Sequence, residues 1–192
     1  MNKNIQREIL NEFNKSNFRK AYDLAINLDA KEKNDIILKI LTISSFKIEN
    51  YSNAIRHGLD YLKLQDQNKN IQILNIIGTC YSILRNYDLG NKFLEEALLI
   101  DPKNISIRYN LALNLYNQKK FRESGEQFIN IIDDDKDYRD SELFYGIIQS
   151  ELKNYRKSID IFEGLIKRGK YKSQTHYNLG IVYQNINDYE LS

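Results

Sequence analysis

The chain has 192 residues, with one cysteine, one proline, one methionine and no tryptophan. A lone cysteine, Cys80, rules out an intrachain disulfide and suits a reducing compartment. His57 and His176 are the only histidines, and neither has a partner at metal-ligand or catalytic spacing. The 8 glycines are scattered singly, so no glycine-rich phosphate loop exists. No apolar run nears the ~20 residues of a membrane helix, and the opening "MNKNIQREIL" has no leader-like apolar stretch. Charge of one sign is also missing: 28 basic against 26 acidic residues give a net charge of +2. No segment carries the basic excess that a nucleic-acid binder needs. With 42% hydrophobic and 28% charged residues the expectation is a soluble, folded, cytoplasmic chain.

What is present is a period. An aromatic follows a polar residue at Phe18, Tyr51, Tyr87, Phe121, Tyr155 and Tyr189, at gaps of 33, 36, 34, 34 and 34 residues. Three positions after each stands a small residue: Ala21, Ala54, Gly90, Ser124, Ser158 and Ser192. Nine positions before each stands Ile9, Thr42, Gly78, Ala112, Gly146 or Gly180. A fixed period of this size marks a repeat array, in which each unit contacts its neighbours.

Each unit reads as an antiparallel helix pair. Leu74, Ile77, Gly78 and Tyr81 recur at helical spacing, "RN" interrupts, and Tyr87, Gly90, Leu94 and Ala97 repeat that spacing. Asp101-Pro102 then stops the second helix, because the residue before a proline avoids helical dihedrals. Gly78 and Gly90 lie symmetrically about the turn, so the two backbones can approach there. A glycine inside a helix costs about 1 kcal/mol against alanine, which close packing must offset at Gly78, Gly146 and Gly180. A bulky residue at Gly146 or Gly180 is expected to cost about 1–3 kcal/mol through overpacking.

This grammar resembles the tetratricopeptide-repeat family. The positions that carry the resemblance are Leu74, Ile77, Gly78, Tyr81, Tyr87, Gly90, Leu94, Ala97 and Pro102, and in the last unit Leu179, Gly180, Tyr183 and Tyr189. Ala112, Phe121, Gly146 and Tyr155 hold the equivalent structural positions between them. Units one and two match less well, with Ile9 and Thr42 at small-residue positions, and Gln149 replaces a tyrosine in unit five. Pentatricopeptide repeats bind RNA along a basic groove, absent here, and repeats of the HEAT kind are longer. The expected fold is all-α: a right-handed superhelical solenoid in one array over 1–192. Its repeats span 2–34, 35–68, 71–104, 105–138, 139–172 and an incomplete 173–192. The sequence stops one turn into that last second helix, from which the front part of a longer protein is expected.

The resemblance also implies where a partner would sit, on the first helices at positions 2, 5, 6, 9, 12 and 13 of each unit. Asn75, Thr79, Tyr109, Asn110, Leu113, Asn117, Tyr177, Asn178 and Ile181 are the groove residues so implied, with Tyr116 and Asn185 beside them. Amides can donate to and accept from a peptide backbone, and tyrosine offers rigid area with a polar tip. An extended peptide in the groove is therefore the expected ligand of a non-catalytic scaffold, with no cofactor, metal, membrane or nucleic acid. Two alternatives stay open: the substrate-selecting front of a glycosyl-, sulfo- or methyltransferase, and a self-associating assembly element. The family's carboxylate clamp is rejected, because Lys39 is present but Ile43, Ile76, Ser106 and Asn110 replace its other residues. Asp133, Asp135 and Asp137 have calcium-loop spacing, yet Tyr138 and Phe144 stand where the loop needs glycine and glutamate. His176 is expected in the core, His57 in solvent, and Cys80 as a small buried hydrophobe. The basic stretch from Ile166 to Lys172 ends a second helix, where cations suit the dipole.

Overall fold

The structure is a computed structural model; it describes residues 3–28, 33–64 and 70–190, with side chains through 187. Helices make up the regular structure of those residues. The pairs are α1 (Lys3–Asn14) with α2 (Phe18–Ile26), α3 (Asp35–Lys47) with α4 (Tyr51–Lys63), and α5 (Ile71–Ile83) with α6 (Tyr87–Ile100). Then follow α7 (Ile105–Asn117) with α8 (Phe121–Asp134), α9 (Ser141–Glu151) with α10 (Tyr155–Lys167), and α11 (Lys172–Glu190). Every second helix thus starts on one of the recurrent aromatics. Contacts group the chain into two compact units, Met1–Pro102 and Lys103–Ser192. In the first, each helix packs on the next, and α1–α3 and α3–α5 also touch. In the second, consecutive helices again pack together, and α9 touches α11.

The asparagine-rich composition has a local use. Asn34, Asn70 and Asn104 cap first helices, accepting from Ile37 N at 3.0 Å, Gln72 N at 3.1 Å and Ile107 N at 3.2 Å. Asn50 and Asn86 cap second helices in the same way, through Asn53 N and Leu89 N. Between the helices of a pair, Ser16, Glu49, Arg85, Lys119 and Lys153 all sit at φ between 60° and 62°. Around Arg85, Asn86 N donates to Tyr81 O at 2.8 Å and Arg85 N to Ser82 O at 3.0 Å. This is the Schellman closure of a helix end, and Lys119 with Lys120 and Lys153 with Asn154 repeat it. The turn is therefore built from backbone bonds and tolerates any polar side chain. That is why its sequence varies while its length does not.

Small residues set the spacing within a pair. A Cβ added to Gly146 would meet Phe162 Cε1 at 2.6 Å and Ile161 Cγ2 at 3.1 Å. One added to Gly78 would meet Leu94 Cγ at 2.8 Å and the Gly90 carbonyl oxygen at 3.1 Å. A hydroxyl bridges the same gap in the α9–α10 pair, where Ser158 Oγ donates to Gly146 O, and in the α7–α8 pair, where Ser124 Oγ donates to Ala112 O, both at 2.8 Å. Phe128 and Phe162 are fully buried beside these bonds. In the earlier pairs Ile9, Thr42, Ala21 and Ala54 are fully buried at the matching positions, and Thr42 Oγ1 turns back to Leu38 O at 2.7 Å.

Three expectations need correction. Gly180 has nothing within 4 Å of where a Cβ would stand, so the overpacking foreseen there does not apply. The turn expected before Tyr189 is replaced by an unbroken α11, Lys172–Glu190. The side chain of Tyr189, and Ser192 altogether, lie outside the described residues. The histidines are also exchanged. His57 is 4% exposed, with its ring edge-on to Tyr22 at 6.4 Å. α4 packs on both α3 and α5, and its ring also meets α2, so more than one stripe of it is covered. His176 is exposed on α11, its Nδ1 2.6 Å from Lys172 O.

Four outcomes follow in urea unfolding. Gly146→Leu is expected to lose about 1–3 kcal/mol, whereas Gly180→Ala gains up to about 1 kcal/mol from helix propensity. Lys119→Gly should stabilise by roughly 1 kcal/mol, because glycine adopts the left-handed turn without strain. The fourth is a pH effect. Burial, with Arg56 and Lys33 adding to it against the opposing pull of Asp60, lowers the His57 pKa from 6.5 to about 4. The unfolded chain then binds a proton that the folded one refuses, so this contribution is complete above pH 6.5 and is lost as pH falls towards 4. The unfolding free energy of the chain should drop by roughly 2 kcal/mol more across that window than that of His57→Gln.

Candidate functional site

Within the unit Lys103–Ser192 the first helices open a cleft of about 420 Å3. Its lining follows the repeat register. Tyr116 comes from α7; Ile147, Ser150 and Glu151 come from successive turns of α9; Asn178, Ile181 and Asn185 come from α11. Lys153 and Tyr155 close it at the turn, and the buried Phe162 forms part of its wall. These first-helix residues occupy positions 6, 9, 12 and 13 of their units, because helical spacing puts those positions on one face.

The aromatic side is held rigidly. The Tyr116 ring meets Phe121 at 5.7 Å and Phe144 edge-on at 5.5 Å. Phe144 in turn stacks on Phe128 at 5.5 Å. Burial raises the Tyr116 pKa, and the nearby Glu151 carboxylate raises it further. Its hydroxyl stays protonated at neutral pH and can donate. On the opposite side the Asn178 amide nitrogen donates to Gln174 O at 2.9 Å. The cleft therefore combines fixed aromatic and aliphatic area with hydroxyl, amide, carboxylate and ammonium groups.

The expected groove residues divide. Asn178 and Ile181 line the cleft, with Tyr116 and Asn185. Asn110 and Leu113 are half-buried and Asn117 is exposed on α7, outside the cleft lining. Asn75 and Thr79 belong to the first unit, on α5, with Thr79 Oγ1 3.5 Å from Asn75 Oδ1. Tyr177 projects into solvent at 71% exposure. Tyr109 is packed instead of presented: it is 5% exposed, edge-on to Phe128 and Tyr138 at 5.8 Å, beneath the Arg139 guanidinium at 4.8 Å. Its hydroxyl donates to the Asp140 carboxylate, which together with burial raises its pKa. Tyr109 thus anchors the entry to α9. Sequence reading missed Glu151, at position 13 of the fifth unit; inspecting that unit at the positions read in its neighbours would have found it.

The weaker constellations serve structure. Asp137 pairs with Lys170, Arg168 Nη2 reaches Glu142 at 2.7 Å, and Arg108 Nη1 reaches Asp134 at 2.6 Å. The aspartates and the basic stretch therefore pair across neighbouring helix ends. Cys80 is fully buried, which pushes its thiol up to about 12. No helix among the described residues is long and apolar enough to cross a membrane.

Comparisons with known proteins bear on the fold. The tetratricopeptide-repeat family model matches residues 71–104. No curated protein matches the sequence. A tetratricopeptide repeat protein from Parabacteroides merdae is structurally similar, with a TM-score of 0.78 at 16% identity over 96% of this chain and 73% of that one. MamA from Desulfovibrio magneticus RS-1, from its residue 41 onward, gives 0.76 at 14% identity over 86% and 93%. MamA of AMB-1 gives 0.73 at 16% identity over 83% and 86%. Identities this low speak for shared architecture.

Proposed function

We propose that the chain, which has the tetratricopeptide-repeat fold and matches that family's model at residues 71–104, is a non-catalytic protein-interaction scaffold. The bound element is an extended peptide segment of a partner, held in the cleft between α7, α9 and α11. The observation that carries this reading is the lining of that cleft by the same register positions of consecutive units. A ligand lying across it would meet Tyr116, then Ile147 and Ser150, then Asn178 and Ile181, one set from each first helix. Backbone amides of an extended segment need partners along their length, and the amides of Asn178 and Asn185 can supply both donor and acceptor. Tyr116, Ile147 and Ile181 offer pockets for alternate side chains. The residues gathered there form no nucleophile–base pair, which favours binding over chemistry.

The test is titration of a diverse peptide pool against the chain and against Asn178→Ala/Asn185→Ala. Loss of affinity on the order of tenfold is expected for the double variant, from two lost hydrogen-bonding groups. Tyr177→Ala, on the exposed side of α11, should leave binding unchanged. Equal affinity of the double variant and the parent chain would place the site elsewhere and contradict the reading.

A further inference from the structure

The cleft contains a charge that no described residue pairs with. Glu151 ends α9 at an exposed position on the cleft wall, and no ion pair joins it to a described residue. Its neighbours in the lining are Tyr116, whose titration its field perturbs, and the amide-bearing Asn178 and Asn185. Lys153, two residues on, is held by the turn at φ 61° and also borders a second depression with Arg156 and Lys157. It lies at the rim, and no ion pair joins it to Glu151. Two other acids of this unit are paired from within, Asp137 by Lys170 and Glu142 by Arg168. Glu151 has no such pair among the described residues, and it stands at the place where a ligand would lie.

We propose that the cleft selects a peptide segment carrying a lysine or arginine, whose cationic group pairs with the Glu151 carboxylate while its stem lies along Tyr116 and Tyr155. A carboxylate accepts a charge-assisted hydrogen bond from either cation, and arginine can engage both oxygens. Aromatic faces attract the same group and cover its aliphatic stem. A fixed ring needs no ordering when the ligand arrives, which favours Tyr116, already wedged between Phe121 and Phe144. Lys153 acts against a second cation at the rim, so the preference is for one basic residue, not a basic run. This inference rests on the peptide-groove reading above and adds the chemistry of the segment.

The experiment uses an immobilised array of diverse short peptides, each beside a copy with every Lys and Arg replaced by Gln. It is probed with the chain, with Glu151→Gln, with Lys153→Gln and with Asn178→Ala/Asn185→Ala. Glu151 and Lys153 lie at an exposed helix end and turn, and matching thermal unfolding curves verify that these variants fold. Peptides retained by the chain should lose about tenfold in affinity as Gln copies. Glu151→Gln should erase that difference, and Lys153→Gln should tighten the basic originals. Gln copies held as well as the originals, or a basic preference that persists in Glu151→Gln, would overturn the cation reading while leaving groove binding intact. Retention that survives in Asn178→Ala/Asn185→Ala, or no retained peptide at all, would overturn groove binding and this inference with it.

Discussion

The close approach of the two helices in a pair, at a position where one side chain is missing, is the constraint on which the rest depends. At Gly146 it admits the Phe162 ring, and at Gly78 it admits Leu94 and the Gly90 carbonyl. Once the backbones are that near, Ser158 and Ser124 can reach carbonyls of the facing helix and satisfy their own hydroxyls in the core. The large residue fills what the small one vacates, so packing density is kept. The left-handed turn then has one feasible length, which explains five turns at nearly the same φ with five different residues of four types. The cleft inherits this geometry, because Phe162, seated on Gly146, is also part of its wall.

Much of this was legible in the sequence. The recurrent aromatics mark the first residue of each second helix, and Asp101-Pro102 marks an end, because those signals act locally. What failed were inferences about which face a neighbour covers. His57 looked solvent-facing on a single-stripe reading of α4, but α2, α3 and α5 all meet that helix. His176 and Gly180 looked internal by register, but His176 is exposed on α11 and nothing comes within 4 Å of a Cβ at Gly180. Tyr109 was grouped with groove residues, while Tyr138 at the end of its own repeat and Arg139 and Asp140 of the next close over it. The cleft itself was partly legible: Asn178 and Ile181 were placed on it, whereas Glu151 was not.

The functional consequence is a division of labour along each first helix. Positions that face the second helix of the pair are fixed by volume and stay small or apolar. Positions on the open face are freed from packing and diversify, giving tyrosine, isoleucine, serine, glutamate and asparagine in one cleft. A site assembled this way belongs to consecutive units together. If the cleft binds as proposed, single substitutions there alter recognition and leave the fold untouched, as for binding residues carried on a rigid frame.

The measurement that tests the central claim most directly is a double-mutant cycle between Gly146→Ala and Phe162→Leu, read as unfolding free energies. If the vacancy at Gly146 exists to seat the Phe162 ring, the added methyl should be costly beside Phe162 and nearly harmless once leucine has replaced it, with a coupling of about 1 kcal/mol or more. Additive effects, within about 0.5 kcal/mol, would mean that the two residues do not share that space, and would contradict the account.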